Sequence, residues 1–221
     1  MKLLLTSAGI KNPNIHAALL GLLSKPIEEC DALCITTASY GHPMAGPLRA
    51  WNFVAGAEPR CPMTELGWKS VGLLEPAVLP SLPREVWLPW VENTDVLLVN
   101  GGDALYLAHH MRESGLAELL PSLDAVWVGL SGGSMVMTPR IGEDFKQWEP
   151  PGGGDDALGF VDFSIFPHLA PDGQPGNSMA EAESWAAEIG NPGYAIDDES
   201  AIVWVDGEVE VVSEANWKLF A

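Results

Sequence analysis

The stretch Ala125-Val126-Trp127-Val128-Gly129-Leu130-Ser131-Gly132-Gly133-Ser134-Met135-Val136 decides how this chain is read. Its first half is apolar throughout, as a strand covered on both faces should be. Its centre is a Gly-x-Ser-x-Gly pattern, and its end is apolar and helix-capable. A strand that turns so sharply into a helix puts the serine on a strained backbone and aims its hydroxyl outward, and flanking glycines remove the Cβ atoms that would collide with the turn. The next amide, that of Gly132, then points into the same space and is a ready donor for an oxyanion. The same pattern also occurs as a plain or phosphate-binding turn, but the strand before it and the helix after it favour a nucleophile elbow at Ser131.

Working outward, four more short apolar runs resemble the elbow strand. Together with it they predict five parallel strands, at 3–6, 32–37, 70–74, 96–100 and 125–130, with helices at 13–23 and 104–120 as crossovers. Beyond residue 194 the pattern changes to two short runs, 201–205 and 209–212, separated by Asp206-Gly207, a hairpin signal. The expected fold is α/β: a mostly parallel sheet flanked by helices on both faces, with a C-terminal antiparallel hairpin, all in one domain spanning 1–221. The segment 150–156 has the composition of an exposed or mobile loop, and 40–47, rich in Gly and Pro, is either a bland connection or part of a pocket wall.

Composition narrows the function. With 11 Lys+Arg against 30 Asp+Glu the net charge is -19, so phosphate backbones and anionic lipid surfaces repel the chain. This predicts no nucleic-acid partner and no membrane association. The apolar start Met1-Lys2-Leu3-Leu4-Leu5 breaks off at Thr6-Ser7, far short of a signal peptide. Three cysteines, Cys30, Cys34 and Cys61, suit reduced packing thiols. The expected location is cytoplasmic.

A serine hydroxyl needs a base. Of the five histidines, His16, His109 and His110 lie within helical patterns, and His42 sits in the Gly/Pro segment. His168 follows the apolar run 160–166 and Pro167, just past a strand end, and is the better base. The acid that would orient it is sought between Ser131 and His168. Asp155 and Asp156 fall in the glycine loop and Asp162 within a strand-like run, which favours Glu143 and Asp144 without separating them. A strand ending in Asn100-Gly101-Gly102-Asp103 offers backbone amides that face the elbow, with Gly102 as a second oxyanion donor.

Taken together, Asn100-Gly101-Gly102-Asp103 with Tyr106-Leu107, Gly129 to Ser134, and Phe166-Pro167-His168 resemble peptidase family S51, the group of peptidase E (an α-aspartyl dipeptidase) and cyanophycinase. Ala157-Leu158-Gly159-Phe160 and the block from Tyr194 to Ala201 look like the family's later segments, so the resemblance runs from about residue 95 to the C-terminus. It implies a class I glutamine amidotransferase-like fold, with serine in place of cysteine, and hydrolysis of short peptides through a Ser-His-acid triad. The chain would act as a monomer or homodimer. The resemblance carries the nucleophile onto Ser131, the base onto His168 and the acid onto Asp144, with Glu143 second. Gly132 stands where the family usually has alanine, which is expected to loosen the turn while keeping the amide donor. An ordinary α/β-hydrolase fits less well, since only 37 positions separate Ser131 from His168.

Two other readings stand beside it: a non-catalytic amidotransferase-like binding domain, and another serine amidase or esterase on this scaffold. No metal is expected, because the histidines and acids lack ligand spacing, and no nucleotide cofactor, because no Gly-x-Gly-x-x-Gly follows a strand. Specificity is legible too. A buried aspartyl carboxylate in the substrate requires a cation or several donors, and strict aspartyl dipeptidases carry an arginine shortly after the catalytic histidine. Here 169–187 holds no Arg or Lys, and after Ser131 the only cations are Arg140, Lys146 and Lys218. The expected preference for aspartate is weak or absent, unless Arg140 or an arginine of the first hundred residues supplies the anchor.

Overall fold

The computed structural model describes residues 1–171 and 176–221. The described residues form ten strands and eight helices in the order β1 (Lys2–Thr6), α1 (Pro13–Leu22), β2 (Asp31–Ile35), α2 (Ala38–Gly41), α3 (Gly46–Val54), β3 (Ser70–Leu73), α4 (Arg84–Glu92), β4 (Val96–Val99), α5 (Ala104–Glu113), α6 (Leu116–Leu119), β5 (Val126–Leu130), α7 (Gly132–Met135), β6 (Ser164–Phe166), α8 (Met179–Ile189), β7 (Gly193–Ile196), β8 (Ser200–Val205), β9 (Glu208–Ser213) and β10 (Trp217–Phe220). Seven strands form the main sheet in the order β3-β2-β4-β5-β1-β8-β9. The first five of these pair parallel, and β8 and β9 run antiparallel, so the expected α/β class and the hairpin turning at Asp206-Gly207 are both present. A smaller sheet, β10-β7-β6, stands apart.

The apolar runs sort by residue parity, since successive side chains of a strand point to opposite faces. Leu3, Leu5, Leu97, Val99 and Trp127 enter the core layer shared with α4 and α5. Leu4, Leu98, Val126, Val128 and Leu130 enter the layer shared with α1. Both faces of the central strands are therefore covered, which is why their sequences read as unbroken apolar runs. The three cysteines are free; Cys30 and Cys34 are buried, and burial pushes the Cys34 thiol up to about 12.

Several boundaries differ from expectation for identifiable reasons. The helix expected at 104–120 is two helices, because Gly115 adopts a left-handed conformation with φ 73° and interrupts it. Strand β2 stops at Ile35 because Thr36 and Thr37 turn to Glu75, whose carboxylate accepts from both hydroxyls. The segment 150–156 is not uniformly loose. Asp155 is only 3% exposed and accepts from Arg140 Nε at 2.9 Å and from the Gly142 amide at 2.8 Å.

No helix among the described residues is long and apolar enough to cross a membrane.

Candidate active site

The carboxyl ends of β1, β4 and β5, adjacent in the main sheet, converge on Ser131. Its backbone lies at φ 49°, ψ -114°, a region that residues with a Cβ rarely occupy. The strain is held from both sides. The Ser131 amide donates to Thr6 O at the end of β1 at 2.9 Å, and its carbonyl accepts from the amides of Ser134 and Met135 at 2.8 and 2.9 Å. Ser134 Oγ donates to the same Thr6 carbonyl at 2.8 Å. A Cβ at Gly129 would meet Gly133 O at 2.4 Å, so the last turn of β5 and the start of α7 pack backbone on backbone.

Gly132 adjoins the turn after β4. A Cβ there would lie 2.2 Å from Gly102 O. The expectation that glycine at this position loosens the elbow is therefore corrected: here glycine permits a closer approach of the two backbones than alanine allows. The Gly102 turn is itself fixed, with Gly102 at φ 141°. Asn100 Oδ1 accepts from the Gly101 amide at 2.8 Å, Ser39 Oγ donates to Gly101 O at 3.1 Å, and the Asp103 amide donates to Ala38 O at 2.9 Å. Gly132→Ala should separate the turns that carry the Gly102 and Gly132 amides. Overpacking of this kind costs about 1–3 kcal/mol, and a misplaced oxyanion donor lowers kcat by up to about 10²–10³-fold. Thermal unfolding and steady-state kinetics check this; a variant indistinguishable from the parent would mean that the contact is slack.

His168 follows β6 and also has a positive φ, 56°. Its Nε2 lies 2.9 Å from Ser131 Oγ, and its Nδ1 lies 2.7 Å from Asp198 Oδ1. An ionised carboxylate only accepts, so Nδ1 carries the proton and Nε2 is left to accept from the serine hydroxyl. The hydrogen bond from His168 holds the Asp198 carboxyl below its ordinary value, against the opposing effect of burial.

The acid beside the imidazole is thus Asp198, and this corrects the expectation for Asp144 and Glu143. Glu143 and Asp144 sit in the 3₁₀ turn Glu143–Phe145, where Glu143 pairs with Lys146 at 2.7 Å and Asp144 lines the cleft without reaching His168. Asp162 is exposed. Asp198 lies in the turn from β7 to β8, and that turn is stitched to the histidine. Ser7 Oγ donates to Ile196 O at 3.0 Å and accepts from the His168 amide at 2.9 Å, while the Leu169 amide donates to Ile196 O at 3.0 Å. The neighbouring Asp197 shapes the turn, accepting from the Glu199 amide, the Ser200 hydroxyl and the Asn216 amide. Ser7, wholly buried just after β1, was no candidate in the sequence, and it positions the base by its backbone. Ser7→Ala leaves the half-buried His168 amide without its partner and the Ile196 carbonyl with one donor fewer, a loss of about 1–3 kcal/mol. Thermal denaturation together with kcat measures it, and an unchanged pair of values would remove Ser7 from the site.

Ser131, His168 and Gly102 open into a cleft of about 330 Å³. His42 and Arg49 form part of its wall, so the segment 40–47 is more than a connection. Of the cation-free segment 169–187 that follows His168, residues 172–175 lie outside the described residues. Among the described residues no group of three or more His, Cys, Asp or Glu is placed to hold a metal ion.

No curated protein sequence matches the chain. Its fold is similar to that of a candidate peptidase E from Listeria monocytogenes EGD-e, with TM-score 0.69 and 20% identity over 97% of this chain and 98% of that one. It is also similar to a peptidase from an acI-B1 Actinobacterium, with TM-score 0.62 and 20% identity over 98% and 88% of the two chains. The family model described as Peptidase family S51 matches residues 72–212, well over half the chain and inclusive of Ser131, His168 and Asp198, and on that match the chain belongs to peptidase family S51.

Proposed function

We propose that the chain is a serine peptidase that hydrolyses short peptides through an acyl-enzyme. The observation that carries this is the relay Ser131–His168–Asp198, with both hydrogen-bond distances under 3 Å, opening on a peptide-sized cleft. Ser131 Oγ attacks the scissile carbonyl carbon while His168 Nε2 takes the hydroxyl proton. Asp198 fixes the tautomer and stabilises the imidazolium, and the Gly102 and Gly132 amides receive the oxyanion. As the C–N bond breaks, His168 passes the proton to the leaving amine. Water, deprotonated by His168, then attacks the Ser131 ester, and His168 returns the proton to Ser131 Oγ as the C–O bond breaks and the acid leaves.

No metal and no cofactor enter these steps. A non-catalytic domain has no use for a strained serine hydrogen-bonded to an imidazole that is backed by a carboxylate, and this favours the enzyme over the pseudoenzyme reading. A panel of dipeptides and the corresponding ester substrates tests it. Ser131-dependent hydrolysis of peptides supports the reading, turnover of esters alone would make the chain an esterase, and turnover of neither would favour the binding domain. The chemistry needs only one chain's residues and fits a monomer or a homodimer in the cytoplasm.

A further inference from the structure

The sequence offers no cation in the segment 169–187 that follows His168 to hold a carboxylate of the substrate, but the folded chain brings one from elsewhere. Arg49, on α3, lines the cleft that contains Ser131 and His168, and among the described residues it is the only Lys or Arg that does so. Ala50 and Phe53 of the same helix are buried and hold it in place. The other arginine considered as an anchor is occupied: Arg140 binds Asp155 through Nε and Nη2, both at 2.9 Å, and donates from Nη1 to Ile189 O. Among the described residues no carboxylate lies within ion-pair distance of Arg49, although the chain carries 30 acids against 11 Lys and Arg. Within a net charge of -19 an acidic ligand is repelled at long range, so its capture depends on a local cation.

We propose that Arg49 anchors a carboxylate of the substrate while Ser131 attacks the scissile bond. The guanidinium presents a planar fork of donors that matches a carboxylate. His42 stands beside it on the cleft wall. Its Nδ1 accepts from the Met44 amide at 3.1 Å, which leaves Nε2 as the protonated nitrogen and a further neutral donor. Burial first, and then the charge of Arg49, hold the His42 imidazole below its ordinary value against the opposing charge of Asp103, which favours the neutral form. Asp144 is the one acid among the described residues that line the cleft. A carboxylate is therefore favoured beside Arg49 and disfavoured beside Asp144. The ligand class is a short peptide with a carboxylate close to the cleaved bond, supplied either by a free C-terminus or by an acidic side chain.

This inference rests on the peptidase reading, and the test separates the two. Two matched pairs of substrates are compared: Ala-Leu with Ala-Leu-amide, and Asp-Leu-amide with Asn-Leu-amide. In the parent protein kcat/KM should favour the charged member of one pair by about 10- to 100-fold, the range expected for a hydrogen bond to a charged group. Preference in the first pair identifies the C-terminal carboxylate, and preference in the second the side chain. Within Arg49→Gln the charged-to-neutral ratio should fall to near unity. Arg49→Lys, which keeps the charge and loses the fork, should retain an intermediate ratio. A parent without either preference, or a preference that survives Arg49→Gln, overturns the proposal. Calorimetric binding of the same four ligands to Ser131→Ala reads the anchor without turnover. If the peptidase reading alone fails, the binding ratio and its loss in Ser131→Ala/Arg49→Gln remain; if the anchor fails, the ratio is absent while Ser131-dependent hydrolysis persists.

Discussion

Replacing Ser131 with alanine is expected to lower kcat for peptide hydrolysis on the order of 10⁵–10⁶-fold, as when the nucleophile of a triad is removed, and to leave the fold intact. The side chain is not what holds the elbow together. The backbone bonds of Ser131 to Thr6, Ser134 and Met135 do that, and none uses Oγ. Alanine must still adopt φ 49° and ψ -114°, as serine already does, so the strain is unchanged. Single-turnover hydrolysis and thermal unfolding measured side by side check both halves. A variant that kept more than about a hundredth of the activity, a barrier change under 2.7 kcal/mol, would mean that Ser131 does not attack the substrate.

Asp198→Asn is expected to lower kcat by about 10⁴-fold, because an asparagine that donates toward Nδ1 stabilises the tautomer whose proton faces the serine. The same exchange at Asp144 should cost no more than about tenfold, or 1.4 kcal/mol, since that carboxylate lines the cleft and does not touch the imidazole. Binding of a substrate analogue to Asp198→Asn should change little, which places the loss in the chemical step. Steady-state kinetics on both variants decide the matter. A large loss at Asp144 with a small one at Asp198 would reverse the assignment made from the His168–Asp198 distance.

The two acids also mark what a single sequence does and does not disclose. The elbow was legible because strain, close packing and an exposed hydroxyl leave local signs: glycines at 129, 132 and 133 between an apolar strand and a helix. His168 was legible as a residue just past a strand. Asp198 was not, because its place depends on which strands pair. Chain order suggested an acid before the histidine, whereas the antiparallel pairing of β8 with β1 returns the β7–β8 turn to the sheet edge where β1 and β5 end. The Asp197-Asp198 pair in that turn was visible, but only the fold separates the one that binds backbone amides from the one that binds the imidazole.

Secondary structure divided in the same way. The buried strands showed as apolar runs, since both of their faces meet a core. Helix α8 carried a readable signal, Ser178 and Glu181 forming a reciprocal capping box with Gly190 at the C-cap. Helix α4 carried a contrary one, Pro89 in its interior, and forms because Trp87 and Val91 bury against the core. Arg49 lay beyond local reading altogether. Nothing in the segment 46–54 says that it faces Ser131; the parallel order β2-β4-β5 puts it there.

The central claim, that Ser131 is a nucleophile activated by His168, is tested most directly by reaction with a fluorophosphonate followed by mass spectrometry of the intact and digested protein. The account predicts one adduct per chain, on the peptide containing Ser131, and its loss in both Ser131→Ala and His168→Ala. Folded parent protein that takes up no label, or a label on another residue that survives Ser131→Ala, would contradict it.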